Sequence, residues 1–398
     1  MDIVIVSNFC GSFQAEDNTR FYYLARLLTN ASHDVELITS IFYHSEKKHR
    51  EPIHDTGRVK VTLLYEPGYP KNVCLRRFYS HYIWGRNVEK YLEQRKKPDV
   101  IYSAVPSLTG PLAAAKYCEK NGVRFITDIQ DLWPEAFQMV VNIPVISGIA
   151  FSPFKWLANG IYRRADAVCA VSNTYVERAL SVNSKCKEGT CVFLGTRLED
   201  FDANVRENPV TNKLERELWL GYCGTLGASY DLICVFDALE LLQKRGVKAP
   251  KFIVMGDGPR KKEFEEYSHA KGLDVRFTGS LPYDKMCGML CACDIVVNPI
   301  IQGAAGSIIN KHADYAASGL PVLSTQECPE YRNLVDEYYM GYNCVCGDAA
   351  DLSDKLERLL KNADLRKEMG ANARRCAEDR FDRENIYVNL QRVIQQIK

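Results

Sequence analysis

Residues 303–324, which read GAAGSIINKHADYAASGLPVLS, combine the signals that decide the fold. The apolar run 294–298 before them is typical of a short buried strand, and the small residues that open the stretch are typical of a turn. We predict a helix that begins near Ser307 and ends before Gly319, because Pro321 cannot continue a helix. Strand, turn, helix and strand in this order indicate a parallel α/β sheet.

The same stretch predicts a site for a phosphorylated ligand. The first turn of a helix has free N–H groups and partial positive charge, and small residues before it let a ligand approach. Lys311 lies roughly one turn after Ser307 and can face the same anion. Asp314 follows three residues later on a neighbouring face, where its carboxylate can hold ribose hydroxyls. The alternative is an ordinary strand–turn–helix unit of any α/β protein.

Length and composition indicate a globular protein of two domains. The chain has 398 residues, of which 46% are hydrophobic and 25% charged. Its formal net charge of +1 favours no nucleic-acid partner. The 15 cysteines are scattered and show no zinc spacing, so we expect free thiols and no metal. Residues 1–6 read as a strand and not as an export signal, so we expect a cytoplasmic protein.

Strand and helix patterns alternate along the chain, which predicts doubly wound parallel sheets. Strands are predicted at 3–6, 35–39, 59–65, 99–102, 123–127, 166–171, 190–194, 218–223, 251–255, 275–277, 294–298 and 321–324. Helices are predicted from about 18, and at 76–95, 108–120, 229–245, 259–271, 283–291, 349–361, 364–379 and 383–397. We place an N-terminal domain at 1–205, completed by a closing helix at 381–398, and a C-terminal domain at 206–380. Ligands are expected at the carboxyl ends of the strands.

Three runs in the chain carry a family resemblance. Residues 310–315 read NKHADY, residues 314–321 read DYAASGLP, and residues 165–172 read ADAVCAVS. They are similar to segments of the retaining glycosyltransferases of family 4, especially the branch that builds bacterial surface polysaccharides and lipopolysaccharide. The family's second glutamate falls on Asp314, and its first falls on Gly306. The order of elements resembles the GT-B architecture, which has two Rossmann-like domains facing across a cleft, over nearly the whole chain.

The resemblance implies a donor site in the C-terminal domain. Residues 224–227 form a glycine turn after a strand, similar to the turn that approaches the donor diphosphate in the family; the alternative is a turn that needs glycine only for its backbone. The Arg and Lys that commonly follow are missing here. The implied donor-binding residues are Arg197, Gly224, Thr225, Gly227, Gly256, Phe277, Gly306, Ser307, Ile308, Asn310, Lys311 and Asp314. The donor is expected to be a nucleotide-diphosphate sugar, with UDP favoured, and no metal or other cofactor is expected to be obligatory.

The run 128–135, which reads DIQDLWPE, ends a predicted strand of the first domain. Polar residues at strand ends of an open sheet point into the ligand crevice, and carboxylates there can bind sugar hydroxyls or transfer protons. We therefore take Asp131 and Glu135, together with Lys311, as candidate catalytic residues; the alternative for Asp131 is a helix cap. The candidate acceptor-binding residues are Gly11, Ser12, Arg20 and Asp128.

Residues 71–97 mix cations with aromatic rings, which suits an anionic lipid surface. The resemblance implies a polyprenyl-diphosphate-linked or glycan acceptor, so we expect peripheral attachment to the inner face of the cytoplasmic membrane. The alternative is a helix that packs on the sheet and keeps its charged ends in water.

The sequence thus predicts a retaining, hexosyltransferase-type glycosyltransferase that moves a sugar from a nucleotide-diphosphate sugar to a lipid-linked or growing cell-surface glycan. Two alternatives stay open. One is a nucleotide-sugar epimerase or hydrolase on the same fold. The other is a non-catalytic sugar-nucleotide-binding relative, suggested by the missing Arg, Lys and Glu of the family pattern.

Overall fold

The structure, a computed structural model, describes residues 1–11, 13, 19–51, 57–72, 74–135, 151–304 and 306–396. Contacts between Cα atoms divide the chain into two compact units. The first unit comprises Met1–Phe193 and Tyr387–Lys398, and the second comprises Leu194–Ile386. Residues 194–205, which we assigned to the N-terminal domain, therefore pack within the second unit.

The first unit is built on a parallel sheet. Its strands are β1 (Asp2–Ser7), β2 (Asp34–Ser40), β5 (Lys60–Leu64), β6 (Val100–Val105), β7 (Arg124–Ile129), β8 (Ala167–Ala170) and β9 (Thr190–Cys191), with β3 (Phe42–Tyr43) and β4 (Lys48–His49) forming a separate antiparallel hairpin. The strand order in the sheet is β5-β2-β1-β6-β7-β8-β9. Its helices are α1 (Arg20–Asn30), α2 (Leu75–Gln94), α3 (Thr109–Asn121), α4 (Ser152–Tyr162) and α5 (Asn173–Leu180). The sequence did not predict the hairpin, α4 or α5.

The second unit repeats the plan with a sheet of order β12-β11-β10-β13-β14-β15, again parallel throughout. Its elements are α6 (Leu198–Glu207), β10 (Trp219–Cys223), α7 (Leu232–Lys244), β11 (Lys251–Met255), α8 (Lys261–Ala270), β12 (Val275–Gly279), α9 (Tyr283–Cys291), β13 (Ile295–Asn298), α10 (Lys311–Ala317), β14 (Val322–Ser324), α11 (Pro329–Tyr338), β15 (Gly341–Asn343), α12 (Ala349–Lys361), α13 (Ala363–Cys376), a π-helical turn (Ala377–Phe381) and α14 (Arg383–Ile386). Both sheets are Rossmann-like, as predicted.

The central parallel strands of both units are buried on both faces, which explains their nearly continuous apolar runs. Residues 3–6 of β1 are fully buried, and so are residues 252–254 of β11. Helices cover the two faces of each sheet because a parallel connection needs a crossover helix. This arrangement brings the loops that follow the strands to one edge of each sheet, where Rossmann-like folds bind their ligands.

The predicted closing helix, 383–397, is not continuous. It breaks at Tyr387 into α14 and α15 (Val388–Gln395), and the break coincides with the boundary between the two units. The Arg383 side chain donates to the Leu194 carbonyl of the second unit (2.9 Å), while the Tyr387 ring packs edge-on against Tyr23 of the first. Each half is thus fixed by its own unit. None of the described helices is both long and apolar enough to span a bilayer.

Candidate functional site

In the second unit, the loops that follow β10 and β11 are bonded to each other. The Gly224 N–H donates to the Met255 carbonyl (2.9 Å), and the Leu226 N–H donates to the Asp257 carbonyl (2.9 Å). A Cβ atom on Gly256 would lie 1.8 Å from the Gly224 carbonyl oxygen, so the close approach of the two backbones requires glycine there. Gly256 is buried, and its backbone packs directly against the Gly224 turn.

Gly224 makes room for a lysine. Its φ of +142° disfavours any L side chain, and a Cβ atom would lie 2.7 Å from Nζ of Lys311. The Gly224 turn and Lys311, both among the implied donor-binding residues, therefore lie in contact. Glycine at this position thus has two roles: it allows the backbone conformation of the turn, and it leaves room for the Lys311 side chain.

Lys311 is buried, and its Nζ has no hydrogen-bond partner among the described residues. Nζ lies 4.3 Å from the ring centre of Tyr222 and 3.9 Å from that of Tyr230. Burial lowers the pKa of Lys311 to about 7. Buried cations are normally paired, so a buried lysine with no partner among the described residues is an unusual feature that invites a functional explanation.

Asp314 lies one helical turn after Lys311 and belongs to a separate polar chain. The Tyr283 hydroxyl donates to Oδ1 of Asp314 (2.8 Å) and lies 2.9 Å from Oγ1 of Thr196. Burial raises the pKa of the Asp314 carboxyl to about 6. Asp314 as a residue is partly exposed, although its carboxyl is buried enough for this shift.

The helix that carries these two residues does not begin at Ser307 as predicted. α10 begins at Lys311 and is seven residues long, with Asn310 before it making no side-chain cap. The predicted end is confirmed, since Ser318 is the C-cap and Gly319 follows with φ of +64°. The prediction that a helix begins near Ser307, whose first-turn amides would face a phosphate, is thus wrong.

Buried polar side chains hold residues 306–310 in a loop instead of a helix. Nε2 of Gln326 donates to the Ser307 carbonyl (2.7 Å), and the Ile309 N–H donates to Nδ1 of His312 (3.3 Å). The Asn298 amide lies 3.1 Å from Nε2 of the same ring. Burial holds the pKa of His312 well below its usual value, so the ring is neutral and can accept. These bonds compensate for the helical ones that the loop lacks.

The other predicted donor residues differ in accessibility. Thr225, Gly306 and Asn310 are exposed, whereas Ile308 is buried. Gly227 is half-buried in the turn that also contains Thr225, and the Tyr222 hydroxyl donates to the Thr225 carbonyl (2.8 Å). Phe277 is partly buried against the core of the second unit, and Nη1 of Arg197 is paired with Asp200 (2.6 Å).

In the first unit, Asp131 and Glu135 follow the end of β7 as predicted. Burial raises the pKa of the Asp131 carboxyl, and Nε1 of Trp133 donates to its Oδ2 (3.2 Å). Glu135 forms an ion pair with Arg178, whose Nε lies 2.6 Å from Oε1, while its Oε2 is buried without a partner among the described residues. Both carboxylates keep an oxygen with unused acceptor capacity.

Arg20 and Asp128, predicted to contact an acceptor, are instead an interior ion pair. Nε of Arg20 lies 2.7 Å from Oδ2 of Asp128, and the Tyr102 hydroxyl donates to the same oxygen (2.7 Å). Nη1 of Arg20 donates to the carbonyls of Val192 and Phe193. Neither charged side chain reaches solvent, so in this structure they join α1 to the sheet. A contact of either side chain with an acceptor stays a prediction.

Gly11, the remaining described acceptor candidate, presents its carbonyl to Nη1 of Arg50 (2.6 Å). Ser12 lies outside the described residues. Within the described ranges, no group of three or more His, Cys, Asp or Glu side chains is placed to hold a metal ion.

Sequence reasoning missed the tyrosines of the site. Tyr230 lies in the run 224–231, where the family's Arg and Lys are absent, and its aromatic character was the available signal. Nothing in the sequence links Tyr283 to Asp314, because the two come from different helices and meet only in the folded unit. The same holds for Tyr315, whose hydroxyl donates to the Val297 carbonyl (3.1 Å) and so attaches α10 to the sheet.

Comparison with known proteins agrees with this geometry. A model described as "Glycosyl transferase 4-like domain" matches residues 18–185, and one described as "Glycosyl transferases group 1" matches residues 206–376. The chain is 15% identical to Anabaena Alr3699/HepE, solved in complex with UDP, with a TM-score of 0.70 over 100% of both chains. At this identity the likeness shows the fold, which is the GT-B fold.

Two curated relatives match at lower coverage. Alpha-D-kanosaminyltransferase of Streptomyces kanamyceticus is 23% identical over 239 residues, which are 55% of this chain and 57% of the relative. An alpha-1,4-N-acetyl-D-galactosaminyltransferase of Campylobacter jejuni, named for an undecaprenol-linked diphosphate substrate, is 24% identical over 192 residues, which are 47% of this chain and 50% of the relative. The chain spans about half the length of the curated relatives it matches. Together, the two family models and the fold show that the chain belongs to the family 4-like glycosyltransferases of the GT-B type.

Proposed function

We propose that this protein transfers a sugar from a UDP-sugar to a lipid-linked or growing cell-surface glycan, with retention of the anomeric configuration. The observation that carries the proposal is the buried, unpaired ammonium of Lys311 behind the Gly224 turn. Retention is proposed from the resemblance of residues 310–321 to the retaining family.

Lys311 has the properties needed to assist departure of a nucleoside diphosphate. When the bond between the anomeric carbon and the diphosphate oxygen breaks, negative charge grows on that oxygen, and a fixed cation in a dry site stabilises it. Lys311 has no carboxylate partner among the described residues, so none of their ion pairs has to be broken when the ligand binds. Asp314, three residues further along α10, is proposed to accept hydrogen bonds from the ribose.

UDP is preferred as the nucleotide on two grounds. Anabaena HepE, which has the same fold, was solved with UDP. The run 276–280 is similar to the family segment whose backbone reads the base. The transferred sugar is proposed to be a hexose, in agreement with the names of the two curated relatives.

The first unit is proposed to supply the acceptor side. Asp131, whose pKa is raised by burial, is suited to take a proton from an acceptor hydroxyl, and Glu135 is suited to hold sugar hydroxyls through Oε2. The Campylobacter relative acts on an undecaprenol-linked diphosphate, which supports a polyprenyl-diphosphate-linked acceptor for this chain.

Attachment to an anionic membrane surface is also proposed. Leu75, Tyr79 and Tyr82 form a stripe on one face of α2 and are 86%, 58% and 54% exposed, and Trp156 of α4 is 64% exposed. Exposed apolar side chains of this size with nearby cations favour an interfacial position. By contrast Trp84, on the opposite face of α2, is fully buried.

Co-sedimentation with phosphatidylglycerol vesicles should be lost when Leu75, Tyr79 and Tyr82 are changed to Ser.

The function is tested by a donor panel. Thermal shift with UDP, GDP, ADP, CMP and NAD, with and without magnesium, is measured first, because a ligand that binds only the folded state raises Tm. UDP-sugars are then incubated with polyprenyl-diphosphate-linked saccharides, and transfer is followed by mass spectrometry. We expect a UDP shift and a product of retained configuration.

The same panel separates the two alternatives. Breakdown or epimerisation of the donor without any acceptor would support an epimerase or hydrolase. Nucleotide binding without transfer to any acceptor would support a non-catalytic relative, which Gly306 at the place of the family's first glutamate favours. No shift with any nucleotide would contradict the donor site itself.

A further inference from the structure

A second basic site lies in the first unit, between the hairpin β3–β4 and the start of α2. A cavity of about 360 Å³ opens there. Its walls include Phe42, Lys47, Lys48, His49, Tyr69 and Arg76, and none of its described lining residues is acidic. The volume is within the usual range for small-ligand sites, which is roughly 300–1,000 Å³.

The cations at this cavity are mostly not neutralised by the protein. Nζ of Lys47 donates to the His44 carbonyl (2.6 Å), and Nε of Arg76 donates to the Gly68 carbonyl (3.1 Å), and both of these acceptors are neutral. Lys48 alone among the lining cations is paired with a carboxylate, that of Glu46, and both side chains of that pair are exposed. The side chains of Lys47 and Arg76 can therefore still bind an anion.

Arg77 adds a third cation next to the cavity wall. Its guanidinium lies over the rings of Trp133 (4.7 Å) and Tyr69 (5.5 Å), and Nζ of Lys47 lies 5.3 Å from the centre of the same Tyr69 ring. Nη1 of Arg77 donates to the Asn72 carbonyl (2.8 Å), while its Nε is buried without a partner among the described residues. Tyr69 thus stands between two cations.

The cluster is under like-charge repulsion. Burial and the neighbouring Arg77 lower the pKa of Lys47. Burial and the same two cations lower the pKa of His44 to about 4, so the imidazole is neutral at pH 7 and adds no charge. Several half-buried or buried cations of the first unit are paired with carboxylates, among them Arg20 with Asp128, Arg95 with Glu36, and Arg178 with Glu135.

We propose that this cavity binds the diphosphate group of the acceptor, an inference that rests on the proposed function. Cations without counter-ions, next to aromatic rings on which a saccharide can stack, match a diphosphate that is linked to a sugar. The cavity belongs to the first unit and shares no residue with the Lys311 site of the second. A single inorganic phosphate would leave much of the cavity empty, whereas a diphosphate monoester fills more of it.

The test is a titration of inorganic pyrophosphate by isothermal calorimetry at fixed salt. The proteins are the Lys311→Met variant, which lacks the donor cation, and the same variant with Lys47→Ala and Arg76→Ala added. Lys90→Ala, which removes an exposed cation of α2 remote from the cavity, is the matched control. We expect at least tenfold weaker pyrophosphate binding in the cavity variant, unchanged binding in the control, and binding that weakens as salt rises.

Equal pyrophosphate affinity in the cavity variant and in the control overturns the proposal. If the double change prevents folding, the single changes Lys47→Gln and Arg76→Gln keep the measurement informative. Because the donor cation is already removed, the result does not depend on UDP binding at Lys311, and a failed donor panel on the wild type is a separate outcome.

Two further ligands identify the source of the diphosphate. If geranyl diphosphate binds the Lys311→Met variant more tightly than UDP does, the assignment of the cavity to the acceptor is supported. If UDP binds this variant as tightly as geranyl diphosphate does, the acceptor assignment is overturned and the cavity is assigned to a free nucleotide.

Discussion

Changing Lys311 to Met should make the ligand-free protein more stable and remove most of its affinity for UDP. Met has a similar length and no charge, and it can lie against the rings of Tyr222 and Tyr230. A residue kept for stability would show the opposite behaviour, so this variant separates a ligand-binding role from a packing role.

The stability change follows from the buried charge. Burial lowers the pKa of Lys311 from 10.5 to about 7, and at 1.36 kcal/mol per pH unit this corresponds to a cost of ~5 kcal/mol at most. The two cation–π contacts return about 1–2 kcal/mol. We therefore expect the variant to gain roughly 3 kcal/mol at pH 7 and its Tm to rise by about 5–10 °C.

The pKa of Lys311 fixes the sign of two pH dependences, that of the folding stability and that of the UDP affinity. The unfolded chain binds one more proton than the folded chain between pH 7 and 10.5, so this group makes the wild type more stable as pH rises through that window. Bound diphosphate requires the protonated lysine. The UDP affinity of the wild type should therefore fall above pH 7, by up to about tenfold per pH unit, and the variant should lack this dependence.

The assays are urea unfolding without ligand and calorimetric titration with UDP, each from pH 6 to pH 9. Loss of a charge-assisted hydrogen bond removes about 1.5–3 kcal/mol, so UDP should bind about 10- to 100-fold more weakly to the variant at pH 7. A variant that is less stable than the wild type and binds UDP equally well would refute the assignment of Lys311 as the phosphate-binding cation.

Three further changes test other parts of the structure. Asp314→Asn should weaken UDP binding about tenfold at pH 7.5 but leave pyrophosphate binding unchanged, because the carboxylate is proposed to hold the ribose; calorimetric titration with the two ligands measures both. Gly224→Ala should cost about 1–3 kcal/mol in urea unfolding and abolish UDP binding, whereas Gly246→Ala, at φ of +72° with no atom within 4 Å, should cost only about 1 kcal/mol and retain binding. Arg20→Ala should destabilise the first unit by about 3–5 kcal/mol because it leaves Asp128 buried and unpaired, and adding Asp128→Asn should restore part of the loss; equal stability of the single variant and the wild type would contradict this.

Local sequence pattern was sufficient for most of the sheet. Apolar runs at 3–6, 35–39 and 251–255 predicted β1, β2 and β11 because a strand buried on both faces needs little beyond its own composition. The hairpin Phe42–Tyr43 with Lys48–His49 was missed, since two-residue strands carry almost no periodic signal. The break at Tyr387 was missed because the amphipathic stripe runs through it.

The sequence predicted the charged residues of the candidate site but not the side chains that contact them. Lys311 and Asp314 were identified from their spacing and from the family resemblance, and the structure puts Lys311 against Gly224. The start of α10 was misplaced because Ser307 is a good N-cap by composition. Buried side chains from elsewhere, above all Gln326, bond the backbone of that segment and override the local preference.

The sequence by itself determined the two Rossmann-like sheets, the family resemblance, and the presence of a cation and a carboxylate three residues apart on one helix. Those features depend on neighbours along the chain. The tertiary structure alone decided that Lys311 has no counter-ion among the described residues and lies against two tyrosine rings. It also decided that Arg20 and Asp128, which are 108 positions apart, neutralise each other in the interior. The physical reason is that burial and pairing set the free energy of a charged group, and both are properties of the packed fold.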